Sequence, residues 1–260
     1  MIEPPVLVHR APPLVILTLN RPDRLNAVSL ELYESLIAAL KPVASDPDIK
    51  AIVLNGNGRA FSAGADLKAP RTSDLPVAER RHYVRTAQRA NLTLRRSKPV
   101  VAAVHGAAVG AGLELAVSCD FIVVEAEARL RLPEVALGTF VGGGIVKELP
   151  RLVGLMRARE LLLLGDFFTG EHAVSIGLCH RAVTKGEVQP AAIALAERLA
   201  AQAPIALALM RKLLRAADRL SLERAMLAEA RALEACMASD DWKEGVRAFN
   251  EKRPPTFRGQ

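Results

Sequence analysis

The sequence predicts an α/β chain that becomes almost wholly helical toward its C-terminus. Three observations carry this reading. Short β-branched runs alternate with amphipathic stretches as far as Val124, which is the signature of crossover β-α-β units. Beyond Val153 the periodicity is nearly all helical, interrupted by one strand-like run at Cys179-His180-Arg181-Ala182-Val183. Half of the 260 residues are hydrophobic but only 4% are aromatic, so the core must be aliphatic. Together the patterns divide the chain into an α/β body over 1–200 and a helical subdomain over 201–260.

Taken in order, Leu14-Val15-Ile16-Leu17-Thr18-Leu19 reads as a strand, ended by Asn20-Arg21-Pro22. Ser29 is placed to cap a helix over 30–44, with Leu32, Leu36, Ala39 and Leu40 on one face. Ala51-Ile52-Val53-Leu54 is a second strand, closed by Asn55-Gly56-Asn57-Gly58. A loop of small residues spans 60–67, a polar segment 68–76 and a basic helix 77–96. The β-branched run 100–104 reads as a buried strand. Gly106, Gly110 and Gly112 then suit a tight turn before a helical stretch at 113–117. The C-terminal helices are expected at 153–164, 170–177, 189–202, 204–217 and 221–250.

Several function classes are disfavoured. The three cysteines are widely spaced and no C-x-x-C occurs, so neither a disulfide framework nor a zinc site is expected. The five histidines lack H-E-x-x-H spacing, so no metal is expected. Leu115 stands where G-x-G-x-x-G would need its last glycine, and no phosphate-binding G-x-x-x-x-G-K-[ST] is present. Ser62 lacks the G-x-S-x-G context of a nucleophile elbow. His105, beside the first glycines, reads as structural or pocket-lining ahead of a base. The start Met1-Ile2-Glu3-Pro4-Pro5 has neither the basic end nor the apolar stretch of a leader, so a cytoplasmic protein is expected. No apolar run approaches the ~20 residues of a membrane span.

The chemistry points elsewhere. Glu114 and Glu134 each stand alone among apolar neighbours beside glycine-rich turns, and a carboxylate so placed is costly unless paired, hydrogen-bonded or protonated. Two small-residue loops, Ser62-Ala63-Gly64-Ala65-Asp66 and Val109-Gly110-Ala111-Gly112, can expose backbone amides to a ligand. The second opens a helix, where free amides and the dipole favour negative charge. Two converging amides would make an oxyanion hole. With two carboxylates, the parts suit proton transfer next to a polarised carbonyl.

These residues resemble the crotonase superfamily, and within it the enoyl-CoA hydratases. The matching stretches are Asn20-Arg21-Pro22 with Asn26-Ala27, then 59–67, 98–106 and Gly110-Ala111-Gly112-Leu113-Glu114-Leu115-Ala116 with Cys119-Asp120. Pro133-Glu134-Val135-Ala136-Leu137-Gly138 and Phe249-Asn250-Glu251-Lys252-Arg253 complete the set, in the family's order along nearly the whole chain. The resemblance implies a spiral of β-β-α units with a C-terminal helical subdomain. It implies that the amides of Ala65 and Ala111 hold a thioester oxygen while Glu114 and Glu134 add water across the 2,3 double bond of a 2-enoyl-CoA. Ala63, Leu67 and Lys68 match coenzyme A-binding positions. Phe249 and Lys252 match positions that reach the coenzyme A of a neighbouring subunit in a trimer or hexamer. No cofactor is expected beyond the coenzyme A carried by the acyl-CoA substrate.

The chain departs from the family in two places. Ala111 replaces a common glycine, which leaves the amide in place. Val141 replaces a usual proline, and the segment Gly142-Gly143-Gly144-Ile145-Val146-Lys147-Glu148 differs from the common version of a loop expected to shape the site beside Glu134. Isomerase, thioester hydrolase and carbon–carbon lyase chemistry on the same fold are therefore the alternatives, and retention of both glutamates favours hydration. From another class, Arg81, Arg85 and Arg89 form one basic stripe that could track RNA phosphates in a chain of net charge +7. Charge runs of this kind are usually solvated faces, and that reading is preferred.

Overall fold

The computed structural model describes residues 3–66 and 76–260. It divides the chain into two units, 1–196 and 197–260. In the first unit the strands β1 (Val6–Ala11) and β2 (Leu14–Leu19) pair as an antiparallel hairpin. After the helix α1 (Leu30–Ser45) comes β3 (Ala51–Gly56), parallel to β2. The helix α2 (Val77–Arg96) leads to β4 (Val100–Val104), parallel to β3. The short β5 (Ala107–Val109) and helix α3 (Ala111–Val117) precede β6 (Phe121–Glu125), which pairs with β4. Then follow β7 (Arg129–Arg131), α4 (Ile145–Arg159), β8 (Phe168–Thr169), α5 (Gly170–Ser175) and β9 (Arg181–Val183). The main sheet runs β1-β2-β3-β4-β6-β9, and β5-β7-β8 form a second, three-stranded sheet.

Residue chemistry accounts for these elements. All five residues of β4 are buried, as a central parallel strand covered on both faces requires. Ser29 caps α1 by accepting from the amide of Leu32. The α2 helix turns Ala87, Ala90, Asn91 and Leu94 inward, while Arg81, Arg85 and Arg89 lie on its exposed side. Tyr33, Phe61, Leu36, Leu54, Leu94 and Leu113 are among the largest fully buried side chains, and the rest of the core is aliphatic.

The helix expected at 153–164 begins earlier, at Ile145, and its regular part ends at Arg159. Gly154 breaks it with φ of 78°, and a wide turn spans Glu160–Leu164. The division between the two units falls inside α6 (Val188–Ala200). The second unit carries α7 (Pro204–Ala216), α8 (Leu222–Met237) and α9 (Asp240–Glu251). The single helix expected over 221–250 is thus two, because Ser239 caps a new one by accepting from the amide of Trp242. Asp241 and Glu244 then fasten the C-terminal segment to α9. Asp241 accepts from the amides of Arg258 and Gly259 at 2.7 and 2.9 Å, and Glu244 pairs with Arg253 at 2.6 Å.

Candidate active site

The two amide loops are joined through their backbones. Ser62 N–H donates to the carbonyl of Ala107 at 3.1 Å, and Val109 N–H donates back to Ser62 at 3.0 Å. Gly112 makes the approach possible, since a Cβ there would lie 2.6 Å from the Cβ of Ser62. On the other side, Val28 N–H donates to Gly64 and Asp66 N–H donates to Val28. The amide of Ala65, between them, meets no acceptor among the described residues. Its neighbour Asp66 is held by Arg21 at 2.8 Å. Ala111 is the first residue of α3, where an amide has no partner within its own helix. Both predicted donors therefore stand on one bridged segment of main chain.

Glu114 lies in the first turn of α3 and is only 4% exposed. Its Oε1 accepts from the amides of Gly142 and Gly143, both at 2.9 Å. Burial raises its pKa; the two amides, and the positive charge of Arg95, oppose that rise. The glycine segment expected to shape the surroundings of Glu134 also braces Glu114. The reason is tertiary: Gly143 sits between α3 and α2, where a Cβ would lie 2.9 Å from Glu114 Cβ and 3.0 Å from Asn91 Oδ1.

Glu134 follows β7, after Leu132 and Pro133, and is 9% exposed. Its Oε1 lies 2.7 Å from where a Cβ on Gly110 would stand, so the carboxyl adjoins the loop that presents Ala111. Its Oε2 is buried without a hydrogen-bond partner among the described residues. Burial raises the pKa of Glu134, its own backbone amide opposes the rise, and the charge of Glu114 adds to it. The two carboxyls accordingly differ: one is braced by two N–H donors, the other has a buried oxygen with no hydrogen-bond partner among the described residues. A buried polar atom left unmatched in a folded protein marks a strain reservoir, a catalytic group or a ligand contact.

Of the other predicted residues, Ala63 is half-buried and donates its amide to Leu25. Leu67 and Lys68 lie outside the described residues. Phe249 and Lys252 belong to the second unit: Phe249 is 84% exposed on α9, and Lys252 ends that helix in the left-handed conformation. His105 lies with Nε2 3.0 Å from the Gly58 carbonyl, which fits its structural reading. Among the described residues no group of three His, Cys, Asp or Glu side chains is placed to hold a metal ion, and no single helix is long and apolar enough to cross a membrane. Sequence reasoning missed Asn91 and Ser118, which pack beside Glu114 and its glycine loop, and Arg95, one turn on from Asn91, which approaches Glu148 at 3.6 Å. Asn91 and Arg95 sit inside the pattern of a basic helix, and Ser118 just follows a short helical stretch, so no local signal marks them.

Known proteins resemble this chain along nearly its whole length. A family model described as enoyl-CoA hydratase/isomerase matches residues 11–260. The 2,3-dehydroadipyl-CoA hydratase of Escherichia coli is 35% identical over 98% of this chain and 99% of its own length. The crotonyl-CoA hydratase of Syntrophomonas wolfei is 34% identical, covering 97% of both chains. The crystal structure of an enoyl-CoA hydratase from Bacillus anthracis superposes with a TM-score of 0.93 at 32% identity, covering 98% of this chain and 100% of that one. The chain belongs to the enoyl-CoA hydratase/isomerase family of the crotonase superfamily, and it has that family's α/β fold.

Proposed function

We propose that this enoyl-CoA hydratase works with Glu114 as base, Glu134 as acid, and the amides of Ala65 and Ala111 as the cradle for the thioester oxygen. The observation that carries the division of labour is the contrast between the two carboxyls. Glu114 takes two N–H donors on one oxygen, which favours its anion and suits it to draw a proton from water. Glu134 has one unmatched buried oxygen and only its own backbone amide as donor, and burial and the charge of Glu114 favour its protonated form, which suits it to deliver a proton. In this scheme water adds its oxygen to C3 as Glu114 takes its proton. The electrons of the double bond move onto the thioester oxygen, where the amides stabilise the charge. Glu134 then gives its proton to C2, and a proton returned through solvent from Glu114 restores the pair.

The further parts of the reading concern surroundings. Ala63, Leu67 and Lys68 contact coenzyme A, and no other cofactor takes part. Phe249 and Lys252 reach the coenzyme A of a neighbouring subunit in a homotrimer or homohexamer, with the helical second unit as the assembly element. Uncovered apolar side chains support assembly: Phe140 is 75% exposed, and neither α7 nor α8 buries any residue. The three cysteines are free thiols, which fits a reducing, cytoplasmic setting. The exposed arginines of α2 are a solvated face, without a nucleic-acid partner.

The direct test is to mix purified protein with crotonyl-CoA and longer 2-enoyl-CoA esters. Loss of the conjugated thioester absorbance with formation of 3-hydroxyacyl-CoA by mass spectrometry is expected. Free coenzyme A or a shifted double bond as the product would replace this reading with hydrolysis or isomerisation.

A further inference from the structure

The segment 139–144 has no regular structure, yet it sets two consecutive amides on one carboxylate oxygen. Helix α2 packs against it through Asn91. Asn91 is fully buried, and its two polar atoms are both committed: Nδ2 donates to the carbonyl of Ala87, and Oδ1 accepts from Ser118 Oγ at 2.7 Å. Ser118 Oγ also lies 2.8 Å from the carbonyl of Glu114 itself. The same Asn91 Oδ1 abuts Gly143, with 3.0 Å to the position of an added Cβ. One side chain therefore bonds the end of the helix that carries Glu114 and lies close to the loop that braces it.

Arg95 stands one helical turn further along the same face of α2. Its Nη1 lies 3.6 Å from Glu148, in the first turn of α4 directly after the glycine segment. Arg151 approaches the same carboxylate at 3.7 Å. The Nη2 of Arg95 is buried without a hydrogen-bond partner among the described residues. A partly buried guanidinium with one nitrogen unmatched is a poor stability device, since the desolvation of that nitrogen is not repaid by a bond. It does supply a positive charge behind Glu114.

We propose that Asn91 and Arg95 are positioning residues for Glu114, holding the Gly142–Gly143 amides on its carboxylate and supplying the compensating positive charge. This deepens the hydratase reading and rests on it for the role of Glu114. Other titratable groups face the site too: Tyr33 from α1, Tyr83 from α2 and Glu134 after β7. Of these with Arg95, only Arg95 carries positive charge, so its removal has a definite sign.

The experiment uses the full-length protein and two independent readouts. The first is an infrared difference titration of the Glu114 carboxyl, assigned by its loss in Glu114→Gln. The second is kcat, KM and their pH dependence with crotonyl-CoA. In Arg95→Met the Glu114 titration and the matching limb of the kcat profile should both move up, by about one pH unit. Arg95→Lys should keep both near their original positions. Asn91→Ala should lower kcat by about ten- to a hundredfold, with KM within about twofold, as loss of orientation does. An unmoved titration in Arg95→Met, or equal damage from Arg95→Lys, overturns the proposal, as does Asn91→Ala with unchanged kcat. Should Arg95→Met fail to fold, Arg95→Gln carries the same expectation. The infrared titration does not need turnover, so an inactive wild type would sink the hydratase reading while leaving the clamp open to this test.

Discussion

Replacing Glu134 by glutamine separates what this side chain does for chemistry from what it does for the fold. Glutamine keeps the shape but cannot release a proton to C2. General acid–base groups contribute ~10²–10⁴-fold in rate, so the loss in kcat should reach about 3–5 kcal/mol of barrier. The fold should respond in the opposite direction. The buried Oε2 has no donor among the described residues, and burial holds the carboxyl pKa above its ordinary value. A carboxyl whose pKa is raised on folding destabilises the native state once the unfolded chain ionises, at about pH 4.3 for glutamate. The cost is absent below that pH, grows as pH rises, and is complete above the folded pKa. Glu134→Gln should therefore match the wild type in thermal midpoint at pH 4 and exceed it at pH 8. Turnover of crotonyl-CoA, deuterium incorporation at C2 in heavy water, and melting curves across this pH range test both halves. Turnover within tenfold of the wild type, or a lower midpoint at pH 8, would refute the assignment of Glu134 as a buried proton donor.

We predict three further outcomes. Glu114→Gln should cost ~10²–10⁴-fold in kcat, while a saturated acyl-CoA binds nearly as before, because the amide oxygen can still accept from Gly142 and Gly143; calorimetry and rate measurements decide, and the double variant with Glu134→Gln should cost less than the product of the two. Gly112→Ala pushes a methyl to 2.6 Å from Ser62, and overpacking of that kind costs about 1–3 kcal/mol, so both the melting midpoint and kcat should fall. Light scattering at micromolar concentration should report a trimer or hexamer, and a monomer would leave the exposed apolar side chains of α7 and α8 without an occupant.

Much of the first unit was legible because local signals bound its elements. Helix α2 runs over the residues expected, since Pro76 precedes it and Ser97-Lys98-Pro99 closes it. Glu114 and Glu134 stood out because a carboxylate amid apolar residues needs a reason, and both are buried. Strand β1 escaped notice because an edge strand alternates weakly, and its Val8 is half exposed. Strands β5, β7 and β8 are two or three residues long, too short for any periodicity to register. The break before α9 was readable in principle, since Ser239 followed by Asp240 and Asp241 is a capping residue with acids in the first turn. The hold of Gly142 and Gly143 on Glu114 was not, because nothing local links residues so far apart in sequence.

The bridging of the two amide loops has a consequence for how this chain tolerates change. Both proposed donors, Ala65 and Ala111, are main-chain N–H groups on segments fastened by the hydrogen bonds between Ser62 and residues 107–109. Every amino acid except proline carries that N–H, so the chemistry proposed for Ala65 and Ala111 asks of their side chains only that they be small enough to let a ligand approach. On that reading, side chains elsewhere around a bound acyl group can drift toward new substrates, one substitution at a time, while the proposed oxyanion cradle stays constant. In such a scaffold, innovation in substrate range and conservation of reaction are not in competition, because they are written in different parts of the polypeptide: one in side chains, the other in backbone.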